Sequence, residues 1–217
     1  MSPTGSRRVL EPYERISEVL FGLIMVLTFT GSLGVAEAGR DNVRAMLIGA
    51  LGCNLAWGII DGILFLMGNL AEKGRSLIAF RAVRKATDPR KARRLIADAL
   101  PPMVASVIQP AEIDAIRERL SALPEPSEGA RLQMEDWLGA LGVFVLVFAA
   151  TFPVAIPFIF MRSSGAALRV SNGIAIAMLF TLGWAFGRTS GRNPWVTGIS
   201  LVLLGLVLVF MTMALGG

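Results

Sequence analysis

Five long apolar runs restrict the fold of this chain more than anything else in it. They span Ile16–Ala36, Ala45–Leu70, Trp137–Phe160, Leu168–Phe186 and Pro194–Leu215. A helix needs about 20 residues to cross ~30 Å of hydrocarbon, and every run is long enough. The chain is 54% hydrophobic, above the ~45–50% of a soluble domain, and the runs carry the excess. No strand pattern and no fixed-period repeat is visible. The expected fold class is therefore an all-α membrane protein with five transmembrane helices. The first run has features of a cleaved leader: basic Arg7 and Arg8 before it, and small-x-small Ala36-Glu37-Ala38 after it. Its 21 residues exceed the ~7–15 of a leader's apolar core, so an uncleaved span is expected.

Charge sets the expected orientation. With a cytoplasmic N-terminus, the inside segments hold 17 of the Lys and Arg residues and the outside loops hold 4, namely Arg40, Arg44, Arg162 and Arg169. The positive-inside rule then places the N-terminus in the cytoplasm and the C-terminus outside, in an inner or plasma membrane. The layout is an N-terminal tail with the first two helices (1–70), a small cytoplasmic helical insert (71–136), and three further helices (137–217).

In the insert, Asp88-Pro89 is an N-cap followed by Pro at the first helical position, opening a helix through Leu100 that Pro101-Pro102 stops. Pro110 opens another through Leu123, with Ile113, Ile116, Leu120 and Leu123 at helical spacing, and Pro124-Glu125-Pro126 is a turn. Nine Lys and Arg residues fall between Lys73 and Arg94, against Glu72 and Asp88. Beside apolar spans, such a stretch suits anionic lipid headgroups better than nucleic acid.

The chain has no histidine and one cysteine, Cys53, which excludes an intrachain disulfide, His-based metal sites and His-dependent catalysis. With no GxSxG, P-loop or CxxC motif and no acidic catalytic pair in the insert, an enzyme is not expected, nor is a resident cofactor.

The candidate chemistry lies in the spans. Asp61 is nine residues from Leu70, ~14 Å along a helix and close to the bilayer midplane. An ionised Asp there costs ~2.5–3.5 kcal/mol on the insertion scale, so it should face a partner, a cavity or an ion. Asn54 lies two turns away on the same face. If the first two spans start level, Met25 lies beside Asp61, and Glu18 sits lower, near Met67 and Asn69. Together Asp61, Asn54, Met25 and Glu18 form a polar path of oxygen and thioether groups suited to Fe(II) or Mn(II), and unsuited to structural zinc. Simpler readings stand beside this one. Asp61 could be a protonated packing contact, Glu18 could snorkel to the interface, and Met25 could be filler. Gly58 with Gly62, and Gly183 with Gly187, form GxxxG pairs that serve either packing within one subunit or a dimer seam. Pro153 and Pro157 break the third span's hydrogen-bond ladder, suggesting a kink beside a pathway.

The arrangement resembles the vacuolar iron transporter family of proton-coupled divalent-metal transporters. "SEVLFGL" looks like the family's charged opening of the first helix, and "MGNLAEKG" like its exit from the second. "FPVAIPF" is similar to its double-proline third helix, and "LRVSNGIAIAMLFTLGWAFG" to its fourth. The family's mid-membrane Asp of the first helix falls on Met25, while Asp61 supplies a carboxylate on the neighbouring helix. The family's acidic, Met-rich insert is matched here by the basic "RSLIAFRAVRKATDPRKARR", with Glu112, Asp114 and Glu118 further on. The resemblance implies a homodimer with the pathway near its two-fold axis, and export from the cytoplasm. The expected function is transport of a divalent cation, Fe(II) or Mn(II), by proton antiport, with that cation and protons as its partners. The alternatives are a non-transporting membrane interaction protein and a cation or proton channel.

Overall fold

The computed structural model describes residue 10 and residues 12–32, 40–124 and 129–214. Arg7, Arg8, Ala36-Glu37-Ala38 and Glu125-Pro126 lie outside the described residues. Those residues form nine helices and no strand: α1 (Pro12–Ser32), α2 (Arg40–Lys85), α3 (Pro89–Asp98), α4 (Pro102–Val107), α5 (Pro110–Ala122), α6 (Met134–Ala149), α7 (Phe152–Phe160), α8 (Ser164–Thr189) and α9 (Pro194–Ala214). Four stretches are long and apolar enough to cross a membrane: Val43–Lys85, Met134–Phe160, Ser164–Thr189 and Pro194–Met211. The chain divides into two compact units, one from Met1–Phe65 with Met134–Gly217 and the other from Leu66–Gln133.

The first unit is built around a dry cluster in which Leu23, Val26 and Leu27 of α1 meet Ala50 of α2, Val154 of α7, and Ala175 and Leu179 of α8. A second cluster joins Val43 and Met46 of α2 to Phe158 of α7 and Ala167 of α8. These are the buried stripes of otherwise exposed helices. Ile48, Ile59, Ile63 and Leu64 of α2, and Ile199, Leu203 and Val207 of α9, keep their side chains outside. That inversion is expected where the surrounding medium is itself apolar.

The helices depart from the apolar runs in three places. The second run ends at Leu70, but α2 continues to Lys85. The stretch "AEKGRSLIAFRAVRK" is charged yet rich in strong helix formers, so hydropathy drops while helix propensity does not. The first real stop is Asp88-Pro89, where proline disfavours a helical residue before it. The third run is two helices, because Pro153 has no N–H to give the carbonyl of Ala149 and the ladder breaks at Ala150-Thr151. In the insert, Pro101-Pro102 does end α3, but Pro102 then opens α4, a helix the pattern did not suggest.

The glycine pairs are used inside the subunit. A Cβ on Gly183 would lie 2.6 Å from the carbonyl oxygen of Thr197 and 2.8 Å from Cα of Gly198, both backbone atoms of α9. On α2, a Cβ on Gly62 would meet the carbonyl oxygen of Ala140 at 3.1 Å, and one on Gly58 would meet Phe144 of α6. Small residues thus bring α8 onto α9, and α2 onto α6. The α8–α9 turn is fully capped. Gly191 adopts a left-handed φ of 69°, Arg192 N–H donates to Gly187 (2.9 Å), and Asn193 Oδ1 accepts from Trp195 N–H (3.0 Å).

The second unit gathers Val83 of α2, Ile96 of α3 and Ile113 of α5 into its own small core. Asp88 caps α3 by accepting from Arg90 N–H at 2.9 Å. Glu112 Oε2 accepts from Gln109 N–H at 2.7 Å and caps α5. Arg93 grips Asp114 through two bonds, Nε to Oδ1 at 2.8 Å and Nη2 to Oδ2 at 2.5 Å. Arg117 Nη2 donates to the carbonyl of Ala86 at 3.0 Å, just past the end of α2.

Candidate ion site between the first two helices

The register of α1 against α2 is set by a single buried side chain. Asn54 is fully buried, and its Nδ2 donates to the carbonyl of Gly22 at 3.2 Å and to the hydroxyl oxygen of Thr151. One turn along, the rings of Phe21 and Trp57 meet edge to face at 5.6 Å. In the other direction Val26 and Leu27 pack with Ala50. Glycine at position 22 is needed where α1 also meets α6, because a Cβ there would run into the carbonyl of Val147.

This register moves the acids relative to expectation. With Gly22 level with Asn54 in an antiparallel pair, Glu18 is level with Gly58, three residues or ~4.5 Å from the level of Asp61. Met25 is level with Leu51, ten residues or ~15 Å from Asp61. Met25 therefore does not lie beside Asp61, and Glu18 does not lie down beside Met67 and Asn69. The expectation assumed that the two apolar runs begin at the same depth. Helix α1 instead begins at Pro12, four residues before the first run, and the buried amide fixes the pairing.

The consequence is a pair of carboxyl groups. Glu18 and Asp61 stand within one turn of the same level on the two neighbouring helices. Asp61 Oδ2 is buried with no hydrogen-bond partner among the described residues, and so is Asn54 Oδ1. Two acids so near the same level on neighbouring helices are costly to keep ionised together without a proton or cation between them. At this level the available ligands are oxygens, two carboxylates and backbone carbonyls, with the Asn54 amide and the Thr151 hydroxyl about 10 Å further along α2 from Asp61. Among the described residues no three of His, Cys, Asp or Glu are grouped as for a closed metal site. An oxygen set of this kind suits hard or borderline divalent ions.

Thr151 is absent from the sequence-based candidates, although it stands two residues before Pro153. There the freed backbone bends the chain and presents a hydroxyl to α2. A hydroxyl residue beside a proline inside an apolar run is the signal that could have found it. Ser171 of α8 plays a related part, donating to the carbonyl of Val154 in α7 at 2.7 Å.

Apolar helices of membrane-crossing length, packed around a few buried polar side chains, define an α-helical integral membrane protein. A family model described as the VIT family matches residues 85–217, well over half of the chain. The chain belongs to this family, the vacuolar iron transporters, which are membrane metal-ion transporters and not enzymes. The matched stretch includes Thr151 but not Glu18, Asn54 or Asp61. No curated protein matches the chain.

Proposed function

We propose that the protein moves Fe(II) or Mn(II) out of the cytoplasm in exchange for protons, with Glu18 and Asp61 as the groups that trade a metal ion for protons. The observation that carries this reading is the register that brings Glu18 within one turn of the level of Asp61, with Asp61 Oδ2 buried and unpartnered among the described residues. Intramembrane acids mark ion and proton pathways by default. A carboxyl pair can hold a divalent cation when both are ionised and stay neutral when both are protonated, which ties release of one to uptake of the other. Asn54 and Thr151 offer neutral oxygens further along the same crossing. In this reading α1 is the fifth span, the N-terminus and the insert are cytoplasmic, and the C-terminus is outside, in an inner or plasma membrane. The protein works as a homodimer.

The insert is proposed to contribute lipid contact through Lys73–Arg94 rather than metal binding. Two of its acids are already committed, Glu112 to the α5 cap and Asp114 to Arg93. Flux in proteoliposomes tests the transport reading. Wild-type protein should accumulate Mn(II) only when a pH gradient is imposed. Asp61→Asn and Glu18→Gln should each lower that flux at least tenfold while the protein stays folded. Unchanged flux in both variants overturns the assignment, and flux that ignores the gradient makes the protein a channel.

A further inference from the structure

We propose that the cavity between the start of α2 and the start of α8 binds the headgroup of one anionic phospholipid. The cavity has a volume of about 420 Å³, within the ~300–1,000 Å³ of ligand pockets. Two arginines line it, Arg44 from the first turns of α2 and Arg162 from the connection between α7 and α8, and both are exposed. No acidic residue lines it among the described residues, and neither arginine makes an ion pair or hydrogen bond there. The cavity lies at the first turn of α8, the positive end of a 26-residue helix. Two forked cations on one small cavity suit a phosphodiester, whose oxygens accept from guanidinium in pairs.

The other wall selects the kind of phosphate. Val43, Leu47 and Phe158 line it, and they belong to the apolar cluster that joins α2, α7 and α8. Ile159, which lines the cavity, is 61% exposed, and on α2 Ile48, one turn beyond Arg44, is 62% exposed. A cavity that is cationic inside and leads onto a bare apolar helix surface fits a molecule with an anionic head and a hydrocarbon tail. A free anion would leave the apolar wall wet. A choline headgroup would bring a third cation to two arginines. The site is separate from the Glu18–Asp61 pair and from the basic stretch of the insert.

The test uses the full-length protein in a non-ionic detergent doped with phosphatidylglycerol or phosphatidylcholine, read by native mass spectrometry. One phosphatidylglycerol per chain should survive detergent exchange, and phosphatidylcholine should not. The double variant R44Q/R162Q should retain at least tenfold less. If that variant does not fold, R44Q and R162Q are read singly against the same expectation. R169Q, which removes an exposed arginine of α8 outside the cavity, should retain lipid as the wild type does. Equal retention of both lipids, equal loss in R169Q, undiminished retention in the cavity variants, or displacement by millimolar inorganic phosphate would each overturn the proposal.

Discussion

Replacing Asn54 with Leu and Thr151 with Val, singly and together, isolates the bond that joins α2 to the break in the third apolar stretch. Leu keeps the branching and heavy-atom count of Asn and is larger, so Asn54→Leu removes the amide without opening a cavity. The amide makes two contacts to other helices, to Gly22 and to Thr151. Hydrogen bonds between membrane helices average ~0.6 kcal/mol and reach ~1.7. Asn54→Leu should therefore cost about 1–3 kcal/mol, and Thr151→Val about 0.6–1.7. The double variant should lose less than the sum, because both single changes remove the same bond, and the shortfall should be about 0.6–1.7 kcal/mol. Reversible unfolding in mixed detergent micelles measures all four proteins. Tryptophan fluorescence suits the readout, since Trp57 stands three residues from Asn54 and packs on Phe21. A coupling below ~0.3 kcal/mol, the usual error of additivity, would mean that the two residues do not hold the helices together. The register that pairs Glu18 with Asp61 would then lose its anchor.

The other expectations are simpler to state. The Arg93 guanidinium, hydrogen-bonded to Asp114, holds that carboxyl below its ordinary value of 3.8. Its contribution to the insert's stability is complete above that value and fades as pH falls through the lowered one. Amide exchange in α3 and α5 should therefore be slower in wild type than in Asp114→Asn at pH 7, and the gap should close only below pH 3.8; a gap that vanishes by pH 5 rejects this. Gly183→Leu should cost at least about 1–3 kcal/mol in the unfolding assay, since its Cβ would run into the α9 backbone at Thr197 and Gly198 and into Cβ of Leu201. Gly173→Ala, with open space around its Cβ, should change little, and similar losses from both would contradict the packing described. A reporter active only in the cytoplasm, fused after Gly217, should stay silent, and a bright signal would reverse the proposed topology.

The apolar runs located most of the helices, and the caps at Asp88 and Pro110 were legible because capping chemistry is local. Register was not legible. Nothing within either α1 or α2 says that Gly22 faces Asn54. That pairing depends on a missing Cβ, a carbonyl of α6 and an amide 32 residues away. Met25 was therefore placed at the wrong depth, while tertiary packing brings Glu18 within one turn of the level of Asp61. The tail of α2 past Leu70 was missed for a different reason. Hydropathy measures what a segment prefers as solvent, and charged helix formers change that preference without ending the helix.

The turn between α8 and α9 bears on how the chain is made. Of the four stretches long enough to cross a membrane, α8 is the least apolar, and it carries Arg169 and Arg188. Its partner α9 follows after only Ser190–Asn193, with every bend of that connection capped and a groove of glycines waiting for it. A less apolar segment so closely followed by a strongly apolar one is suited to enter the bilayer with it as a hairpin. A ribosome stalled in the 190–193 turn would present the weaker helix to the bilayer alone, and biogenesis, before any ion is moved, is where lengthening that turn would first be felt.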